Sequence, residues 1–327
     1  MTSVPDSVFT MPSITRNSDG QIRTVGFELE FSGITLADTV AAVVSSLEGA
    51  VVNETAAEVS VETVFGKFNV EVDWEFLKST AAGDQQADDP DLWLQKLSEA
   101  AALLVPIEVV CPPIPVTEIS RLENLVVALR NAGAVGTEES LIAAYGVHIN
   151  PEIPALDAGT IYRYLRAFVL LQWWLVDAHK VDLARRVSPY IDLFSESYIK
   201  CLLSCKKPTL ETLIDDYLQF NASRNRALDM LPLFAEIDSE RVRSVIDDPK
   251  IKARPTFHYR LPNCLIDKPE WNLSLSWNLW CVVEQLANDE AALESLGDAF
   301  LAADRPVIGV DRSAWVERIT QWRNDHA

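Results

Sequence analysis

Between Thr24 and Phe31 the chain alternates strictly, and the run Gly26-Phe27-Glu28-Leu29-Glu30-Phe31 places an acid at every second position. A period of two is the period of a β-strand, so the run predicts a strand with Phe27, Leu29 and Phe31 on one face. Glu28 and Glu30 then leave the other face together, roughly 6.5–7 Å apart along the strand. Two carboxylates held that close on a partly buried sheet repel each other and lose hydration unless a cation sits between them. A metal site of oxygen ligands is the first chemistry this pattern indicates.

The remaining sequence supplies ample material for a core around such a strand. Of 327 residues, 48% are hydrophobic and 23% charged, a globular profile. The 48 acidic and 28 basic residues leave a formal net charge of −20, which repels nucleic acid and anionic membrane, so neither is expected as a partner. The five cysteines, Cys111, Cys201, Cys205, Cys264 and Cys281, lie mostly among apolar neighbours and lack zinc-like spacing. They read as buried free thiols of a reducing compartment. The first eighteen residues contain no long apolar run, so neither a signal peptide nor a membrane span is expected, and a cytoplasmic location is the default.

Residues 1–20 read as an irregular arm and 21–327 as a single domain. After the first strand, Thr35 caps a helix over Leu36 to Leu47 that stops near Gly49. Strand-like runs at 58–64 and 67–74 are joined through Phe65-Gly66 as a hairpin. An acidic loop spans Ala81 to Asp89 and a helix spans Asp91 to Leu104. Ile107 to Cys111 is a strand stopped by Pro112 and Pro113. Val116 to Asn131 is an amphipathic helix ending at Gly133, and Gly146 to Pro151 is another strand. The second half is mainly helical, over 156–185, 208–220, 224–235, 239–246, 269–287, 290–302 and 312–324, interrupted by a strand-like run from Arg254 to Leu261. Trp173 and Trp174, and likewise Trp271, Trp277 and Trp280, suit buried helix faces rather than nucleotide stacking. Too few strands occur for βαβ units, so the expected class is α+β, an antiparallel sheet covered on one face by helices.

The polar faces of these strands share a chemistry. Asn69, Glu71, Asp73 and Glu75 alternate with Phe68, Val70, Val72 and Trp74. Glu108 projects between Ile107 and Val109. His148 and Asn150 alternate with Val147 and Ile149, and Arg254, Thr256, His258 and Arg260 with Phe257, Tyr259 and Leu261. A merely solvated face usually mixes Lys, Thr, Ser and Gln. Carboxylates, histidines and arginines instead suit divalent metal and phosphate.

Taken in order, these residues resemble the motifs of the amidoligase family, carboxylate–amine ligases related in fold to glutamine synthetase and glutamate–cysteine ligase. Gly26-Phe27-Glu28-Leu29-Glu30 resembles the opening Gly-Phe/Val-Glu-x-Glu motif. Phe68 to Asp73 resembles the next strand, and Ile107-Glu108-Val109-Val110-Cys111-Pro112-Pro113 the Glu-Leu/Val-Val-Ser-Pro-Pro signature. Gly146-Val147-His148-Ile149-Asn150 resembles Gly-x-His-x-His/Asn, Ser223 to Asp229 a helix motif with Arg and a terminal Asn, and Thr256 to Arg260 the late Thr-Val-Glu-Phe-Arg strand. His258 stands where the family usually has glutamate, and Asp229 where it usually has asparagine.

The resemblance implies a curved, glutamine synthetase-like antiparallel sheet and ATP- and Mg2+-dependent formation of an amide or peptide bond through an acyl phosphate. It implies Glu28, Glu30, Glu108 and His258 as metal ligands, with His148, Asn150, Arg254, Arg224 and Arg226 toward nucleotide or phosphate. Arg260 is then the group that steadies the transferring phosphoryl, and Glu71 and Asp73 attend the amine or a metal-bound water. Positive groups are what phosphoryl transfer requires, because charge spreads over the phosphate oxygens. The expected partner is a small-molecule or peptide substrate with carboxylate and amine, together with an enzyme of the same pathway. The alternative is a binding or scaffold protein on a degenerate ligase fold.

Overall fold

The computed structural model describes residues 8–73, 103–138, 145–187 and 191–326. Trp74, Glu75, the acidic loop at 81–89 and nearly all of the helix expected over 91–104 fall outside the described residues. Backbone contacts cluster into two compact units. One comprises residues 1–9, 24–149 and 262–276, the other 10–23, 150–261 and 277–327. Both mix helix with antiparallel strand pairs. Among the described residues no helix is long and apolar enough to cross a membrane.

The first unit is built on β1 (Thr24–Phe31), β2 (Ala50–Glu54), β3 (Glu58–Thr63), β4 (Gly66–Val72) and β5 (Ile107–Val110), in the spatial order β2-β3-β4-β5-β1. A short β6 (Ile114–Pro115) pairs with the start of β1. Phe27, Leu29, Phe31, Val59, Val61, Phe68, Val70, Ile107 and Val109 are all buried, and the register brings them onto one face. Each such side chain contributes about 1.5–3 kcal/mol by leaving water. Helix α1 (Leu36–Leu47) packs on β3 and β4 through Thr39, Ala42, Val43 and Leu47, the spacing of one helical face. Thr35 caps it in a reciprocal box with Asp38. Glu48 ends it in the left-handed region at φ 53°, and Gly49 follows because a Cβ there would meet Val61 Cγ1 at 2.7 Å.

Helix α2 (Glu123–Ala132) starts later than the sequence suggests. Pairing of Ile114–Pro115 with β1 holds that backbone extended, and a 3-10 turn, Ile119–Leu122, intervenes before the helix opens. The helix ends, as expected, at Gly133, whose φ of 101° suits glycine. The edge strand β2 had no strong alternating signal, since all five of its residues are exposed.

Strand β7 (Val147–Pro151) continues from the first unit into the second. The second unit is organised around α3 (Ala158–Ala178), which is buried almost all round and capped by Asp157. The helix expected over 156–185 ends at Ala178. The chain then turns through Lys180 at φ 48° before a short α4 (Leu183–Val187). Helices α5 (Glu196–Ser204) and α6 (Leu210–Phe220) follow, the first missed in the sequence although Ser195 caps it.

The helix expected over 224–235 is replaced by β8 (Leu228–Asp229) and α7 (Leu231–Ile237). Here Ala227 N–H donates to Asp192 O and Arg260 N–H donates to Ala227 O, so the backbone groups a helix would need are already engaged. Pro232 lies in the first turn of α7, where its missing N–H does no harm. Helix α8 (Ser239–Arg243) is one short segment, and of the run 254–261 only β9 (His258–Tyr259) forms a strand, paired with β8. Helices α9 (Leu273–Ala287), α10 (Glu290–Ala303) and α11 (Arg312–Asp325) complete the chain close to their expected limits. Trp277 and Trp280 are fully buried, and Trp280 stands 5.3 Å from the rings of both Phe257 and Tyr259, a packing role.

Candidate metal centre

The polar face of the first unit's sheet is acidic to an unusual degree. Glu30 on β1 lies directly opposite Glu108 on β5, Glu108 opposite Glu71 on β4, and Glu71 opposite Glu58 on β3. Four glutamates therefore form one row across four strands, with neighbours about 4.5–5.5 Å apart at Cβ. Glu28 lies one pleat away, opposite Val110, which in turn faces Asn69. Like charges directly opposite one another destabilise a sheet. Glu108 registers the strain: its pKa is pushed well above the usual carboxylate range by burial first, then by Glu28, Glu30, Glu71 and Asp73.

His148 closes this face. The ring is buried, at 6% exposure, on a strand whose flanking Val147 and Ile149 are fully buried. Its Nδ1 lies 2.7 Å from Glu28 Oε2, and its Nε2 lies 3.5 Å from Glu30 Oε1. Glu30 is itself fixed, since its Oε2 accepts Gly146 N–H at 2.7 Å while its own N–H donates to Gly146 O at 3.1 Å. Glu30, Glu108 and His148 each offer one ligand atom, all within 4.8 Å of one another. Carboxylate oxygens with one imidazole suit a divalent cation, and a cation there would relieve the charge that now pushes Glu108 up. On that observation the residues fit a metal. Asp73 at the sheet's end is exposed and its N–H donates to Pro106 O at 2.9 Å, while Glu71 is half-buried.

The other residues singled out in the sequence belong to the second unit. Arg254 donates from Nη2 to Asn150 Oδ1 and from Nε to Thr256 Oγ1, both at 3.1 Å. Arg260 Nη1 donates to Arg224 O at 2.8 Å, and Arg224 pairs with Asp248 at 3.2 Å. Arg226 donates to Leu193 O and Phe220 O, a bracing role in its loop that a motif reading does not disclose. His258 and Asp229, the two departures from the motifs, are direct partners across β9 and β8, with Nδ1 3.7 Å from Oδ2.

A charge network invisible to the motif pattern lies in the same unit. The fully buried Arg23 and Glu284 form a two-pronged pair at 2.7 and 2.8 Å. Glu284 also accepts from Trp280 Nε1 at 2.9 Å and Tyr164 Oη at 3.2 Å, and Arg23 donates to Ile14 O and Glu152 O.

A model of the family described as putative amidoligase enzyme matches residues 21–282, and the chain belongs to that family. The matched span contains every residue of the acidic row, His148 and the arginines just described. No curated protein matches the chain. Membership of that family indicates a ligase.

Proposed function

We propose that this protein is an ATP- and Mg2+-dependent carboxylate–amine ligase with a glutamine synthetase-like fold. In the proposed reaction a substrate carboxylate attacks the γ-phosphate of ATP, giving an acyl phosphate and ADP. An amine then displaces phosphate to form the amide. The observation that carries this reading is the convergence of Glu30, Glu108 and His148 within 4.8 Å inside the family-matched span. A divalent cation held there supplies positive charge to phosphate oxygens, which is most of what phosphoryl transfer asks of a protein. Glu28 belongs to the same cluster through His148. Glu71 and Asp73 continue the negative face and suit an incoming ammonium or amine. Arg254, beside Asn150, and Arg260 are the second unit's groups for phosphate or carboxylate oxygens. Arg224 and Arg226 contribute less, because their guanidinium groups are already committed to Asp248, Leu193 and Phe220. His258 is read as a ligand or a holder of Asp229.

Hydroxylamine tests this reading without knowledge of the amine. An acyl phosphate is captured as a hydroxamate, so a panel of amino acids and small peptides with ATP, Mg2+ and hydroxylamine should give one hydroxamate-forming acid. That product should vanish in Glu30→Gln. Hydroxamate in neither protein, with no heat of ATP and Mg2+ binding in calorimetry, would favour the scaffold alternative.

A further inference from the structure

Arg260 stands where a strand stops. β9 pairs with β8 through His258 and Tyr259, and just beyond them Arg260 N–H donates to Ala227 O at 2.9 Å. The carbonyls of Arg260 and Leu261 are taken up by a side chain instead. Arg185, on α4, donates from Nη2 to Arg260 O at 2.8 Å and from Nη1 to Leu261 O at 2.7 Å. Successive residues of an extended strand face opposite ways, so one planar fork reaches two successive carbonyls where the chain bends. The fork is buried, at 3% exposure, and bonds from a charged donor are roughly twice as strong as neutral ones. Arg185 thus fixes the bend at the residue that carries the candidate phosphoryl group.

The Arg260 side chain is held at one end and open at the other. Its Nη1 donates to Arg224 O at 2.8 Å, whereas its Nε–H is buried and meets no acceptor among the described residues. A buried donor left in that state is costly, and a ligand oxygen would complete it. We infer that Arg185 is a positioning residue: by clamping the main chain at Arg260 and Leu261, it aims the Arg260 guanidinium at a phosphate or carboxylate oxygen. The inference rests on the proposed reading of Arg260 and deepens it, adding a residue that lies outside every motif named above.

Proton–nitrogen spectra of the arginine Nε–H groups in the 15N-labelled full chain test this. The Arg260 signal is identified by its loss in Arg260→Lys. In the wild type it should exchange with solvent about 10-fold or more slowly than that of the exposed Arg318, and should move when ATP and MgCl2 are added. In Arg185→Met that protection should be lost, while Arg166 and Arg226, whose Nε atoms are also buried, keep theirs. Arg185→Lys, which retains a charged donor, should fall between the two and serves if the methionine variant does not fold. In calorimetry with ATP and MgCl2, Arg185→Met should bind about 10–100-fold more weakly than wild type, but less than about twofold more weakly once Arg260→Met is in place. An Arg260 signal unchanged in Arg185→Met, or one that loses protection together with Arg166 and Arg226, would overturn the inference. A comparable further loss of ATP affinity in the Arg260→Met background would overturn it too. If the exchange rates behave as expected but ATP neither moves the Arg260 signal nor binds less tightly to Arg260→Met, the proposed role of Arg260 fails while its placement by Arg185 stands.

Discussion

Replacing Glu108 by glutamine should make the metal-free protein more stable. Glu108 lies between Glu30 and Glu71 in direct register, so it faces a like charge on either side. At about 5 Å each pair repels by about 0.8 kcal/mol with water-like screening and about 3 kcal/mol at an effective dielectric of 20. Burial first, and then these like charges, raise its pKa, so the carboxyl escapes part of the repulsion by holding a proton. A net gain of about 1–3 kcal/mol remains for a neutral isostere at pH 8, or about 2–10 °C in Tm for a unit of this size. The sign follows from linkage. An acid whose folded-state pKa is raised loses stability as pH rises above its unfolded value near 4.5. Glutamine does not titrate, so its advantage should be absent at pH 4, grow as pH rises, and level off above the folded-state pKa. Thermal unfolding in a chelator, followed by circular dichroism from pH 4 to 9, reads this out. Equal or lower stability of Glu108→Gln at pH 8, or a gain already complete at pH 4, would refute the reasoning.

Two further outcomes follow from groups away from that row. Removing one side of the buried Arg23–Glu284 pair, as in Arg23→Met, strands a charge among Tyr164 and Trp280 and should destabilise by about 3–5 kcal/mol in urea unfolding. Glu123, buried where its carboxylate accepts Leu273 N–H at 2.8 Å, has its pKa raised to about 7 by burial. Its contribution to stability should therefore fall by about 2–3 kcal/mol as pH rises from 4.5 to 7, and Glu123→Gln should flatten that segment of the stability–pH curve.

The strands that build the candidate centre were legible because each has one apolar and one polar face. β1, β4, β5 and β7 all fall where the period of two places them, and Thr35 and Gly133 mark helix ends through local chemistry alone. Alternation also put Glu28, Glu30, Glu71 and Glu108 on polar faces, but it could not align them. Their arrangement as a row depends on register between strands far apart in sequence, which alternation within one strand does not set. The segment 224–235 failed for the same reason: its composition suits a helix, and only the pairing of Ala227 with Asp192 and Arg260 forbids one. The Arg23–Glu284 pair joins positions 261 apart, a separation over which local periodicity carries no information. Arg226 also donates to Leu193 O and Phe220 O, a use within its own loop that residue type alone does not reveal.

The central claim is that carboxylates from separate strands and one histidine jointly hold a divalent cation. Calorimetric titration of the metal-free wild-type chain with MgCl2, beside the double variant Glu30→Gln, Glu108→Gln, tests it most directly. Saturable binding in the wild type, lost in a double variant that melts at no lower temperature, is the result predicted. Identical isotherms for the two proteins, or no heat from the wild type, would contradict it.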